Sequence, residues 1–137
     1  MSRDTRTGGV MEAMIFPALR QGGYTWTTQV KIGRRPGGGR HIVDAVATKD
    51  ALLILVSSKW QEVSGTAEQK VPWEVICLIA ALKTEEYKRA YLILGGPGWT
   101  LRDFYVRGGL RDYIIGSEKV HIVTLEDFVA KANQSKL

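Results

Sequence analysis

The run Ala51-Leu52-Leu53-Ile54-Leu55-Val56 is apolar at every position and ends abruptly in Ser57-Ser58-Lys59-Trp60-Gln61. Side chains on a strand alternate between faces, so Leu53, Leu55, Ser57, Lys59 and Gln61 share one side and Ile54, Val56, Ser58 and Trp60 the other. Apolar residues on both sides imply a strand buried on both sides, in the middle of the sheet. Lys59 then leaves a central strand, where its ammonium must find an anion.

The elements around that strand follow from local pattern. His41 to Ala47 precedes it across a polar turn at Thr48-Lys49-Asp50 and reads as an antiparallel partner. On it Ile42, Asp44 and Val46 share a face, and an acid between two β-branched apolar residues needs cationic compensation. Tyr24 to Ile32 is rich in aromatic and β-branched residues and reads as a further strand. Between these two, Gly33-Arg34-Arg35-Pro36-Gly37-Gly38-Gly39-Arg40 reads as a flexible basic hairpin loop. It is not a P-loop, because no Gly-Lys-Ser/Thr opens a helix after it. The loop is either a solvated tip or a device for gripping phosphates, and the acid-bearing strand directly after it favours the latter. Upstream, Val10, Met11, Met14, Ile15, Ala18 and Leu19 have helical spacing, with Glu12 off the apolar stripe and Gly22-Gly23 as a stop. Taken alone, Glu12 is a solvated first-turn acid favoured by the helix dipole.

Downstream, Thr66 and Gln69 have the spacing of a capping box, and the helix is expected to run to about Lys83. Pro72 offers a second starting point for it. A start at Thr66 makes Lys70 and Glu74 neighbours on one face, which by themselves read as a surface salt bridge. Tyr91 to Leu94 is a short strand closed by Gly95-Gly96-Pro97-Gly98, and Trp99 to Tyr113 a helix broken at Gly108-Gly109. Val120 to Thr124 is a last strand, and Thr124 opens a last helix with Phe128 and Val129 inward. The expected class is α/β, one domain over residues 9–137 behind a flexible basic arm at residues 1–8.

The net charge of +5 suits a polyanionic partner without specifying a fold. One cysteine excludes a disulfide framework and a cysteine-based zinc site, and two histidines are too few for a histidine-rich metal centre. The first residues lack the apolar stretch of a signal peptide and no run reaches membrane-spanning length, so an intracellular, cytoplasmic protein is expected, with a phage or mobile-element origin open.

In order, a helix, three strands, a helix, a strand, an irregular helical segment, a strand and a helix resemble the PD-(D/E)XK nuclease superfamily, which includes type II restriction enzymes and Holliday-junction resolvases. The resemblance covers about Gly9 to Phe128 and implies a restriction-endonuclease-like domain: an αβββαβ core with a central mixed sheet, plus a C-terminal strand and helix. In that family the first metal-binding acid lies on the second strand, where Ile42-Val43-Asp44-Ala45-Val46-Ala47 supplies Asp44. A lysine closes the third strand, matching Lys59, and a glutamate on the first helix often joins the site, matching Glu12. The usual Glu-X-Lys is Ser57-Ser58-Lys59 here, so the second acid is missing from its strand. This is similar to restriction enzymes that carry Ser/Thr-X-Lys and move the acid to the next helix, behind a basic residue four positions earlier. Lys70-Val71-Pro72-Trp73-Glu74 fits that spacing, with Glu68 as a rival position and Gln61 as a weaker oxygen ligand.

What the resemblance implies is a Mg2+-dependent DNA endonuclease, restriction-like or acting on junction or phage DNA, with Mn2+ as a substitute. Two carboxylates suffice for a magnesium ion that keeps several waters, and the ion activates a water against the phosphodiester. Lys59 holds that water or the phosphate. Arg34, Arg35 and Arg40 of the loop, together with Arg102, Arg107 and Arg111, are expected to contact phosphates of duplex or branched DNA. Trp60, Trp73 and Trp99 are offered for base stacking, with the core preferred for Trp73. A double-strand break needs two active sites, so a homodimer is expected. The competing expectation is a nuclease-fold subunit that binds DNA or a partner without cutting, because Ser57 stands where the acid belongs. A third, an α/β domain with only surface ion pairs, fits poorly with Lys59 at the end of a central strand.

Overall fold

The computed structural model describes residues 9–137; the basic arm expected at residues 1–8 lies outside the described residues. A π-helical turn, Met11–Ile15, leads into helix α1, Phe16–Gln21. Phe16 N–H bonds to Met11 O, five residues back. Pro17 has no N–H to continue an ordinary ladder, and it sits at the start of α1, where the missing donor costs nothing. Strands β1 (Thr25–Arg34), β2 (Arg40–Lys49) and β3 (Leu52–Trp60) follow, then helix α2 (Ala67–Leu82) and strand β4 (Arg89–Gly95). Helix α3 (Arg102–Val106), two short 3-10 turns, strand β5 (Val120–Thr124) and helix α4 (Leu125–Asn133) complete the chain.

The sheet order is β1-β2-β3-β4-β5, antiparallel over its first three strands and parallel from β3 to β5. This is the mixed α/β sheet expected from the sequence, with β3 at its centre. Its two faces carry separate cores. Ile54 and Val56 pack with Ile15, Leu19 and Phe128 on the α1/α4 side, and Leu55 packs with Val71, Val75 and Leu78 on the α2 side. Burial of these side chains contributes roughly 1.5–3 kcal/mol each, enough to explain why a strand of Leu, Ile and Val sits in the middle. Gly22 marks a close approach, since a Cβ there would lie 1.9 Å from Ala132 O and push α1 away from α4.

Local details depart from the sequence expectations. Thr66 precedes α2, but its side chain makes no capping hydrogen bond, so the capping box does not form. Pro72 lies inside α2 rather than at its start. A proline there leaves the carbonyl four residues back, that of Glu68, without its helical donor. Tyr105 on α3 supplies the replacement, its hydroxyl donating to Glu68 O across 2.8 Å. The segment from Trp99 to Tyr113 is only briefly helical. It breaks at Gly108, whose φ of 90° suits glycine, into a 3-10 turn at Gly109–Asp112. Trp73, expected in the core, is 47% exposed on the outer face of α2. Among the described residues no helix is long and apolar enough to cross a membrane.

Candidate active site

β2 and β3 pair from Lys49↔Leu52 to Ala45↔Val56, and there the ladder ends. Asp44 is the next residue on β2. Its Oδ2 accepts a hydrogen bond from Ser58 N–H at 2.7 Å, so a side chain carries the link where backbone pairing stops. The backbone is irregular on the other side too. Gln29, which the register sets opposite Asp44, has a left-handed φ of 51°, a conformation rare for a residue with a side chain. Val43 and Val46 both pack on the α2 side, which strict alternation forbids. Asp44 therefore lies where β2 parts from β3 while its pairing with β1 continues, half-buried at the polar end of the sheet.

Glu74 comes to the same place from α2. It is buried at 4% exposure, and Ser57 Oγ donates to its Oε2 at 2.9 Å. Ser57 and Ser58 are adjacent, so consecutive residues of β3 hold the two carboxylates. Arg35 from the hairpin loop donates to Glu74 Oε1 at 2.7 Å. His41, at the start of β2, is buried with Nε2 3.5 Å from Glu74 Oε2. At that distance His41 stands beside the carboxylate, with no hydrogen-bond partner of normal geometry for Nε2 among the described residues. Burial pushes the Glu74 carboxyl up, but His41, Arg35, Lys59 and Ser57 together outweigh it and hold it at about 2. Glu74 is thus ionised throughout the physiological range.

Lys59 is half-buried two residues beyond Ser57 on the same face of β3, and its charge bears on Glu74. Asp44, Glu74 and Lys59 are accordingly gathered around the Ser57–Lys59 end of β3. Lys70 is exposed, and the cation that pairs with Glu74 is Arg35 rather than Lys70. Glu12 is exposed on the π-helical turn. Among the described residues no group of three or more His, Cys, Asp or Glu is arranged to hold a metal, so Glu12 does not complete a set with Asp44 and Glu74.

Glu68 and Gln61 face another task. The Glu68 carboxylate accepts hydrogen bonds from Thr100 N, from Thr100 Oγ1 at 2.6 Å and from Leu101 N at 2.6 Å. Burial pushes its carboxyl up, and the Thr100 and Leu101 donors, with Gln61, bring it below its ordinary value. Gln61 is tied to the turn after β4: its N–H bonds to Gly95 O, its carbonyl accepts from Gly98 N, and its Nε2 donates to Gly98 O. These two residues fasten the 95–101 loop and the start of α3 to the end of β3.

The basic and aromatic residues divide likewise. Arg34 donates to Gly38 O within its own loop, Arg102 donates to Gly96 O, and Arg40 and Arg107 are exposed. Trp60 is half-buried, packs against the α1/α4 core and donates to Glu62, while Trp99 Nε1 donates to Gly95 O. His41 and Arg35 are the parts of this arrangement that the sequence reading did not place at Glu74. For His41 a signal existed, since it shares strand parity with Val43, which packs toward α2.

The residues present fit a hard divalent cation. Carboxylates from two elements, Asp44 and Glu74, are held by consecutive residues of β3 with Lys59 beyond them. Carboxylate oxygens are what magnesium prefers while keeping much of its water; His41 Nε2 is the one imidazole nitrogen beside Glu74 among the described residues.

Comparison with known proteins adds a family and a fold. A family model described as the PD-(D/E)XK nuclease superfamily domain matches residues 3–136, nearly the whole chain. No curated protein matches the sequence. Among solved structures, the crystal structure of AF1548, a protein of unknown function, is similar with a TM-score of 0.50 at 10% identity. The similarity covers 80% of this chain and 54% of that one, so this chain spans about half its length and the likeness concerns the fold alone.

Proposed function

The chain belongs to the PD-(D/E)XK nuclease superfamily, and from that we propose that it is a magnesium-dependent DNA endonuclease acting through Asp44, Glu74 and Lys59. The observation that carries the reading is the Ser57–Glu74 hydrogen bond. Ser57 stands at the family's strand-acid position, and a buried carboxylate from the following helix is delivered to it.

Asp44 and Glu74 would hold the ion, which when bound activates water and offsets charge on the scissile phosphate. Ser57 Oγ and Ser58 N–H fix one oxygen of each carboxylate, so neither side chain must be ordered as substrate arrives. Lys59, leaving the centre of the sheet, positions the attacking water or a phosphate oxygen and stabilises the charge that develops there. Arg40 and Arg107 are exposed for phosphate contacts, which fix register along the duplex without reading sequence. Cutting both strands of a duplex in one encounter takes two active sites, which a homodimer would supply.

Incubation of the protein with supercoiled plasmid, with and without Mg2+, tests the reading. Metal-dependent nicking or linearisation supports it; salt-sensitive retardation of DNA without cutting at any metal concentration moves the protein to a binding role. One observation favours that second reading, namely that Glu74 is already ion-paired to Arg35.

A further inference from the structure

The two oxygens of Glu74 have partners of different kinds. Oε2 faces Ser57 and His41, both buried and both on strands. Oε1 faces Arg35, which is half-buried and sits in a loop. That loop is braced internally by Arg35 N–H to Gly39 O at 2.6 Å, Gly38 N–H to Arg35 O at 2.9 Å and Arg34 to Gly38 O at 2.7 Å. At its tip Gly37 and Gly38 have left-handed φ, and no atom lies within 4 Å of where their Cβ would be. Among the described residues of 35–39, it is the Arg35 side chain that reaches α2, bonding to Glu74 and also meeting Cys77 one turn on. The loop is therefore held on α2 through one side chain, the Arg35 guanidinium, and can leave as a unit when that group is exchanged to another anion.

Charge gives that exchange a reason. Among the described residues at the site, Asp44 and Glu74 carry negative charge, and Lys59 and Arg35 carry positive charge. A divalent ion entering beside Arg35 meets a carboxylate whose charge is already compensated, and it repels the guanidinium. DNA phosphates supply the negative charge that lets both cations remain.

We propose that Arg35 is a gate on the metal site: it occupies Glu74 in the ligand-free protein and transfers to the DNA phosphate backbone when metal and DNA bind together. The inference rests on the nuclease reading and adds the regulation of the same carboxylate. Metal and DNA binding are then positively coupled, and by linkage each strengthens the other equally. Arg35 is a positioning residue in this scheme, acting on the ion through Glu74.

The test is Mn2+ affinity of the full chain, read by the electron paramagnetic resonance signal of free Mn2+, with and without a phosphorothioate duplex that resists cleavage. Arg35→Gln should bind Mn2+ in the absence of DNA roughly tenfold more tightly than the unmodified protein, the order of a typical coupling. The duplex should tighten Mn2+ binding to the unmodified protein and have little effect on Arg35→Gln. Arg35→Lys, which keeps the charge, should behave like the unmodified protein, and melting in chelator confirms that both variants fold. Asp44-dependent Mn2+ binding that Arg35→Gln leaves unchanged or weakens overturns the gate alone. Mn2+ binding that survives Asp44→Ala, or no binding by any form, overturns the metal site and the gate together.

Discussion

Ser57 Oγ donates to Glu74 Oε2 across 2.9 Å, joining the central strand to the helix that follows it. The bond spans the position where the strand carries a hydroxyl in place of an acid and the helix carries the acid in its stead. If the carboxylate rather than its point of attachment matters, its location can be exchanged. Glu74→Ser should lower Mg2+-dependent cleavage by roughly a hundredfold or more, the cost of losing a charged group at a reacting centre. Ser57→Glu combined with Glu74→Ser should recover part of that loss in the same plasmid assay. A double variant no better than Glu74→Ser would count against the exchange.

Tyr105 and Pro72 should be energetically coupled through Glu68 O. Tyr105→Phe removes the donor that replaces the missing proline N–H and leaves a buried carbonyl unsatisfied, which should cost about 1–3 kcal/mol in urea unfolding. Pro72→Ala restores the helical donor, so Tyr105→Phe should cost clearly less in that background. Equal costs in both backgrounds would show that the two groups act independently.

Glu68 should matter for folding more than for metal. Its carboxylate accepts the Thr100 and Leu101 donors ahead of α3, so Glu68→Ala should destabilise the protein by on the order of 3 kcal/mol. Mn2+ affinity of the fraction that stays folded should be unchanged. A folded Glu68→Ala protein that had lost Mn2+ binding would instead place Glu68 among the ligands.

Stability should fall in acid by an amount traceable to Glu74. Its carboxyl is held at about 2, below the ordinary carboxylate value of 4.5, so the unfolded chain binds the proton first. The stabilisation is full above pH ~4.5 and is lost as pH falls through ~2, on the order of 3 kcal/mol in all. Glu74→Gln cannot titrate and should show a flatter stability profile over that window in denaturant titrations. Parallel profiles for the two proteins would contradict the assignment.

Much of this site was legible in sequence because it follows short-range rules. The apolar run before Ser57 pointed to β3 at the sheet centre and alternation placed Lys59 beyond Ser57, whereas Glu74 came from the resemblance to enzymes that carry the acid on the next helix, since by itself it read as half of a surface salt bridge. What escaped depends on contacts between distant elements. No local signal says that a Gly-rich loop folds its arginine onto α2, so Arg35 read as a phosphate-binding residue rather than the partner of Glu74. Glu68 read as a rival ligand because its donors, Thr100 and Leu101, lie far along the chain. Trp73 read as core from its chemistry, whereas α2 turns that position outward so that Glu74 can face β3. The Thr66–Gln69 pattern matched a capping box, yet Thr66 takes a helical backbone conformation, φ −88° and ψ −6°, rather than the extended one a side-chain cap requires.

Plasmid cleavage by the protein and by its Asp44→Ala variant, each with Mg2+ and with chelator, addresses the central claim most directly. The account predicts Mg2+-dependent cutting by the unmodified protein and none by the variant, with both proteins equally folded by circular dichroism. Cutting that persists undiminished in a clean preparation of Asp44→Ala would contradict it.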